Sequence, residues 1–130
     1  MRKDSYSNVS VVASLVPAVQ AATLKGSTVD TQGFSSALLI VNTGAIAGSG
    51  LYVMSLEESD TTTDGDFTTV AEADSIGDAL PESLEASTVY RLGYRGSKRY
   101  VRAVITKTSG TSIAAGAVFV LGMPHLAPVA

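Results

Sequence analysis

The run Asp60-Thr61-Thr62-Thr63-Asp64-Gly65-Asp66 places three carboxylates and a glycine within seven residues, the composition of a calcium-binding loop. A calcium loop of the EF-hand type needs ligands at alternating positions and a distant bidentate glutamate. This run has neither, and Asp and Gly also favour turns for backbone reasons alone. His125 is the one histidine, a general base in principle if a serine or aspartate lies beside it. No nucleophile-elbow motif accompanies it, and its place between Met123-Pro124 and Leu126 reads as a tail residue packing at an interface. Glu57 and Glu58 resemble a glycosidase pair only in composition. Neighbours on a strand point to opposite faces and cannot flank one bond. Cysteine is absent, which removes disulfides, thiolate metal sites and cysteine nucleophiles, and a single histidine removes multi-histidine sites. The expectation is a protein that is not an enzyme, with no catalytic, cofactor-binding or metal-ligating residue and no cofactor.

Arg91, Arg95, Lys98, Arg99 and Arg102, interleaved with Tyr90, Tyr94 and Tyr100, have the composition of a nucleic-acid platform. Alternation works against that reading. Tyr90, Leu92 and Tyr94 share one strand face and Arg91 and Arg95 the other, which builds an anchored core beneath a basic surface. A net charge of −3 also argues against a general nucleic-acid binder. Charge is segregated along the chain. Ten of the twelve acidic residues fall between 57 and 85, among them Glu57, Glu58, Asp60 and Asp78, and six of the nine basic residues between 91 and 107. Such a split suits docking against another chain, and it suits equally two loops that neutralise each other within the fold.

The elements that must carry these residues read as strands. Val9, Val11, Ala13 and Leu15 alternate with Ser10, Val12, Ser14 and Val16. Residues 37–42 form a continuous apolar run, the pattern of a strand buried on both faces. A glycine-rich loop at 44–50 leads to a strand at 51–57, with 66–71 pairing back. Strands at 89–94 and 99–107 flank Gly96-Ser97, a pair suited to a tight hairpin. Ser109-Gly110 marks the next turn, and a last strand spans 113–121. Only 71–87 suggests helix or turn, with Pro81 at a first helical position. About seven or eight short strands predict an all-β chain, an antiparallel β-sandwich or a jelly-roll-like barrel. Within 130 residues this is one domain: an N-terminal arm or first strands at 1–25, a sandwich at 26–122 and an irregular tail at 123–130.

Met1-Arg2-Lys3 before an apolar stretch imitates a secretory leader, but polar residues interrupt the stretch and Pro17 breaks it. No uninterrupted run reaches the length of a membrane span. Charged residues are 16% against 45% hydrophobic, a balance that excludes disorder.

Leu38-Leu39-Ile40-Val41-Asn42-Thr43-Gly44, Leu56-Glu57-Glu58-Ser59-Asp60, Asp66-Phe67-Thr68-Thr69-Val70, the run Tyr90 to Arg102 and the ending Val120 to Val129 together resemble a family of small tailed-phage head proteins. The resemblance covers about two-thirds of the chain and is similar to capsid decoration, or cement, proteins of HK97-like shells. It implies a β-sandwich on the outer capsid surface of a virion assembled in the bacterial host cytoplasm. The implied partners are the major capsid protein and further copies of the chain, as dimer or trimer, with no nucleic acid and no membrane. Candidate capsid or subunit contacts are Glu57, Glu58 and Asp60 of the acidic loop, Arg91, Arg95, Lys98, Arg99 and Arg102 of the basic segment, and Pro124 and His125 of the tail. Two alternatives stand beside this expectation: a neck or tail component of the same particle, and a surface carbohydrate-binding sandwich, which usually presents more aromatic residues than this chain has.

Overall fold

The computed structural model describes residues 3–77 and 80–129; Met1 and Arg2 of the leader-like start and Asp78 of the acidic run lie outside them. The chain is all-β, with ten strands in two antiparallel sheets that pack face to face. The strands are β1 (Ser10–Gln20), β2 (Leu24–Lys25), β3 (Val29–Asp30), β4 (Phe34–Ala47), β5 (Leu51–Ser59), β6 (Thr68–Thr69), β7 (Ser75–Ile76), β8 (Val89–Tyr94), β9 (Tyr100–Ser109) and β10 (Ser112–Pro124). Sheet A has the order β1-β10-β4-β8-β7, and sheet B the order β2-β9-β5-β6, with β3 also paired to β9. The two sheets stay open, and no closed barrel forms among the described residues.

The inner faces follow period-two alternation. Val41, Leu39, Phe119 and Ile113 of sheet A meet Tyr52, Val101, Ala103 and Ile105 of sheet B, all inaccessible to solvent. A core of Val, Ile, Leu and Phe in this arrangement forms the apolar interior on which such a sandwich depends. Tyr52 is admitted because its Oη donates to the Thr111 carbonyl at 3.1 Å. Leu84, buried from the loop after β7, closes one end, its N–H donating to the Tyr52 carbonyl at 2.8 Å. Residues 80–87 form bends and a turn in place of the expected helical turn at Pro81.

The expected hairpin at Gly96-Ser97 does not form. β8 lies in sheet A and β9 in sheet B, so this segment is a crossover between sheets. It wraps around Tyr94, whose Oη accepts the Lys98 N–H at 3.0 Å; a Cβ on Gly96 would come within 2.5 Å of the ring. The turn at Ser109-Gly110 also crosses between sheets. Gly110 has φ +82° and packs against the backbone of Ser49 and Gly50, which turn β4 into β5, leaving no room for a side chain. The strands are not uniformly short either. β4 runs to Ala47, four residues into the expected loop, because β10 supplies a partner as far as Ser112.

β1 is the edge strand of sheet A. Pro17 fits there because an edge strand has one unpaired side, and the pairing with β10 shifts register between Leu15 and Ala18. Ser14, buried on β1, ties the layers together: its hydroxyl accepts the Ala103 N–H of β9 at 2.9 Å and donates to the Ser27 carbonyl at 2.9 Å.

Candidate docking interface

The acidic and basic segments meet. Glu57 and Arg102 are directly opposite on the outer face of sheet B, joined at 2.7 Å. Arg102 also reaches Asp64 at 2.7 Å, and its guanidinium lies 4.0 Å from the centre of the Phe67 ring. The loop 60–67 is therefore folded down over the sheet around one arginine. Burial opposes the charge on Arg102, but its bonds to Glu57 and Asp64 outweigh this and push the group up from its ordinary value. Glu58 points the other way, as strand alternation demands. It accepts the Tyr94 hydroxyl at 2.5 Å across the gap between the sheets, and burial, then this carboxylate, push the Tyr94 phenol up.

Lys98, Arg99 and His125 cluster at the same end of the sandwich. Lys98 pairs with Asp60 at 2.7 Å, and Arg99 holds Asp30 through two bonds of 2.9 and 2.8 Å. A polar groove of about 460 Å³ lies beside them, lined by Gly33, Ser35, Ser97, Lys98, Arg99 and His125. Pro124 ends β10 opposite Phe34. The His125 Nε2 lies 3.1 Å from the Ser35 hydroxyl, both exposed, and no carboxylate orients the ring among the described residues. Arg91 stands on the outer face of sheet A, opposite Ile40, and Arg95 follows β8; both are exposed and have no ion-pair partner among the described residues. Asp60, Asp64 and Asp66 do not converge. Asp60 goes to Lys98, Asp64 to Lys25 and Arg102, and Asp66 to the Thr61 hydroxyl. Among the described residues no cluster of three metal-ligating side chains is present.

These pairs predict an acid response. The Lys25 bond, then the Arg102 bond, hold the Asp64 carboxyl below its ordinary range, and the Arg99 bond does the same for Asp30. A carboxylate with a depressed folded value stabilises the fold above its unfolded value and loses that contribution as pH falls through the folded one. The urea midpoint should therefore fall as pH is lowered from about 5 to about 2, and the slope should flatten in an Asp30→Asn/Asp64→Asn variant. An unchanged slope in that variant would assign the acid response to other groups.

A second surface went unnoticed in the motifs. The outer face of sheet A is crossed by a row of Val11, Val120, Leu38 and Ile76, and a neighbouring row of Ala13, Val118 and Ile40 ends at Arg91. Val11, Val16, Val19, Ile76 and Val89 are more than half exposed. β1, β4 and β10 contain no Asp, Glu, Lys or Arg at all. At the bulge of β1, Pro17 folds over Gly116 and stands as a ridge beside an apolar groove of about 570 Å³. The signal was present in the sequence as charge-free runs at 5–24, 31–56 and 108–129.

No family model and no curated protein matches the chain. Among solved structures it is similar to a chain in the structure of the infectious bursal disease virus Gx strain, with 11% identity and a TM-score of 0.44 over 87% of this chain. The chain spans 31% of that chain's length. It is also similar to PirA, with 14% identity and a TM-score of 0.40, covering 93% of this chain and 96% of that one. Both likenesses lie below the level at which a shared fold is read.

Proposed function

We propose that the chain is a structural component of a tailed-phage particle. In this reading it is a sandwich of the jelly-roll type that decorates the outside of an icosahedral shell and stabilises it by bridging neighbouring major capsid subunits. The observation that carries the reading is the separation of two surfaces on one small domain. One is a polar end with paired charges around a groove; the other is a broad apolar face whose strands β1, β10 and β4 carry no charge. A bridging element needs at least two places to touch other chains, and a soluble monomer has no use for the second. The charge pairs also alter the account of the basic segment. Lys98, Arg99 and Arg102 are held by carboxylates of their own chain, which leaves Arg91 and Arg95 to meet acidic groups of the shell. Many copies making modest contacts hold a particle together without high individual affinity.

Co-sedimentation with expanded, undecorated capsids tests this. Saturable binding on the order of hundreds of copies per particle is the expected result, with occupancy reduced in an Arg91→Glu/Arg95→Glu variant that retains its unfolding midpoint. A dozen copies or fewer would move the protein to the neck or tail. No binding would overturn the capsid reading.

A further inference from the structure

We infer that the outer face of sheet A is a self-association surface, on which a second copy of this chain packs face to face about a two-fold axis. The inference rests on reading that face as a docking surface, but not on what the polar end binds.

Three observations select a second copy as the occupant. The first is charge. The central strands of the face carry no charged residue, so a partner gains nothing from charge and loses desolvation energy for any charge it brings. The outer face of sheet B and one end of the sandwich carry five ion pairs, so on this molecule the surface that matches the face is the face itself. The second is shape. The ridge raised by the β1 bulge, with Val16 and Val19 about two-thirds exposed, stands next to the groove floored by Ala114 and Gly116. A two-fold operation places each ridge over the other copy's groove, an isologous contact in which one bump and one hollow serve both sides. Gly44 keeps the floor low, since a Cβ there would meet the Ala114 Cβ at 3.1 Å, and Gly116 leaves room for the ridge, since a Cβ there would meet Pro17 at 2.9 Å. The third is extent. β1, β10, β4 and β8, of 11, 13, 14 and 6 residues, cover about 700 Å² in plan at about 4.8 Å between strands and about 3.3 Å per residue. With side-chain relief that approaches the roughly 800 Å² per partner of a stable interface. Arg91, at the rim, stays solvated.

Sedimentation velocity on the full chain, from low to high micromolar concentration, is the test. The wild-type chain should sediment as a dimer, and Val19→Lys should weaken the dimer by about a hundred-fold, because one substitution enters the interface twice. Val11→Lys, at the far end of the same face, should act in the same direction, and Thr106→Lys, on the exposed side of sheet B, should leave the dimer unchanged. Val11, Val19 and Thr106 are exposed, so thermal unfolding of the variants should match wild type. A wild-type chain that is monomeric throughout, or a Val19→Lys chain that dimerises normally, would overturn the inference. A monomer that still saturates capsids assigns the face to the shell and overturns only self-association. A dimer that ignores capsids leaves self-association standing and removes the capsid reading.

Discussion

Replacing Arg102 by methionine is expected to cost about 3 kcal/mol of folding free energy and about 10 °C of Tm. The side chain is 6% exposed, and its main partner, Glu57, is 18% exposed. Removing the cation strands a carboxylate that has little water to turn to, and this dominates the loss. Asp64, 62% exposed, is rehydrated at small cost. Methionine keeps most of the contact with Phe67, so the variant isolates charge from packing. Pairing it with Glu57→Met should recover much of the lost stability, since a buried ion pair and its apolar replacement are often nearly equal. Urea unfolding of the two singles and the double closes the cycle. The same variant should free the loop 60–67, visible as faster limited proteolysis there. A loss below about 1 kcal/mol would mean that the pair behaves as an exposed one.

Phe119→Ala should cost more, about 4 kcal/mol, a large share of the total stability of a domain this size. Phe119 is fully buried and sits mid-row between Val12 of β1 and Leu39 of β4, with Leu92 of β8 beyond. Three strands lose packing from one truncation. Phe119→Leu should lose only about 1 kcal/mol. Val118→Ala, one residue away but facing outward, should change stability by about 0.5 kcal/mol. Equal losses at 118 and 119 would contradict the assignment of faces.

Strand identity was legible because it is local. The alternation in 101–106 names its own inner face, and Val101, Ala103 and Ile105 are fully buried; in 9–16 it names the wrong one, since Val11 and Ala13 face outward and only Leu15, past a register shift, enters the core. Pairing was not legible for the opposite reason. Gly96-Ser97 has good hairpin chemistry, yet the partner of β9 is β5, some fifty residues earlier, and the choice is made by burial of Tyr94 between the sheets. The same limit applies to the interface residues. Sequence groups Arg91, Arg95, Lys98, Arg99 and Arg102 as one basic patch. Only the fold reveals that three of them are tied to Asp30, Glu57, Asp60 and Asp64. The apolar face had a visible trace in the charge-free runs, but an uncharged strand is ambiguous until one knows which of its faces is covered.

β10 lies between β1 and β4 at the heart of sheet A although it follows both in the chain. During synthesis the ribosome therefore releases β1 and β4 long before the strand that joins them exists. Until residues 112–124 have emerged, the sheet has two unsatisfied edges and Leu39, Val41 and Leu15 have no shared layer to enter. Folding of this chain waits on its last strand and is governed by long-range closure, slow by the standard of helical proteins of the same length. A chain terminated before Ser112 would not be a smaller version of the protein but an unfolded and aggregation-prone one.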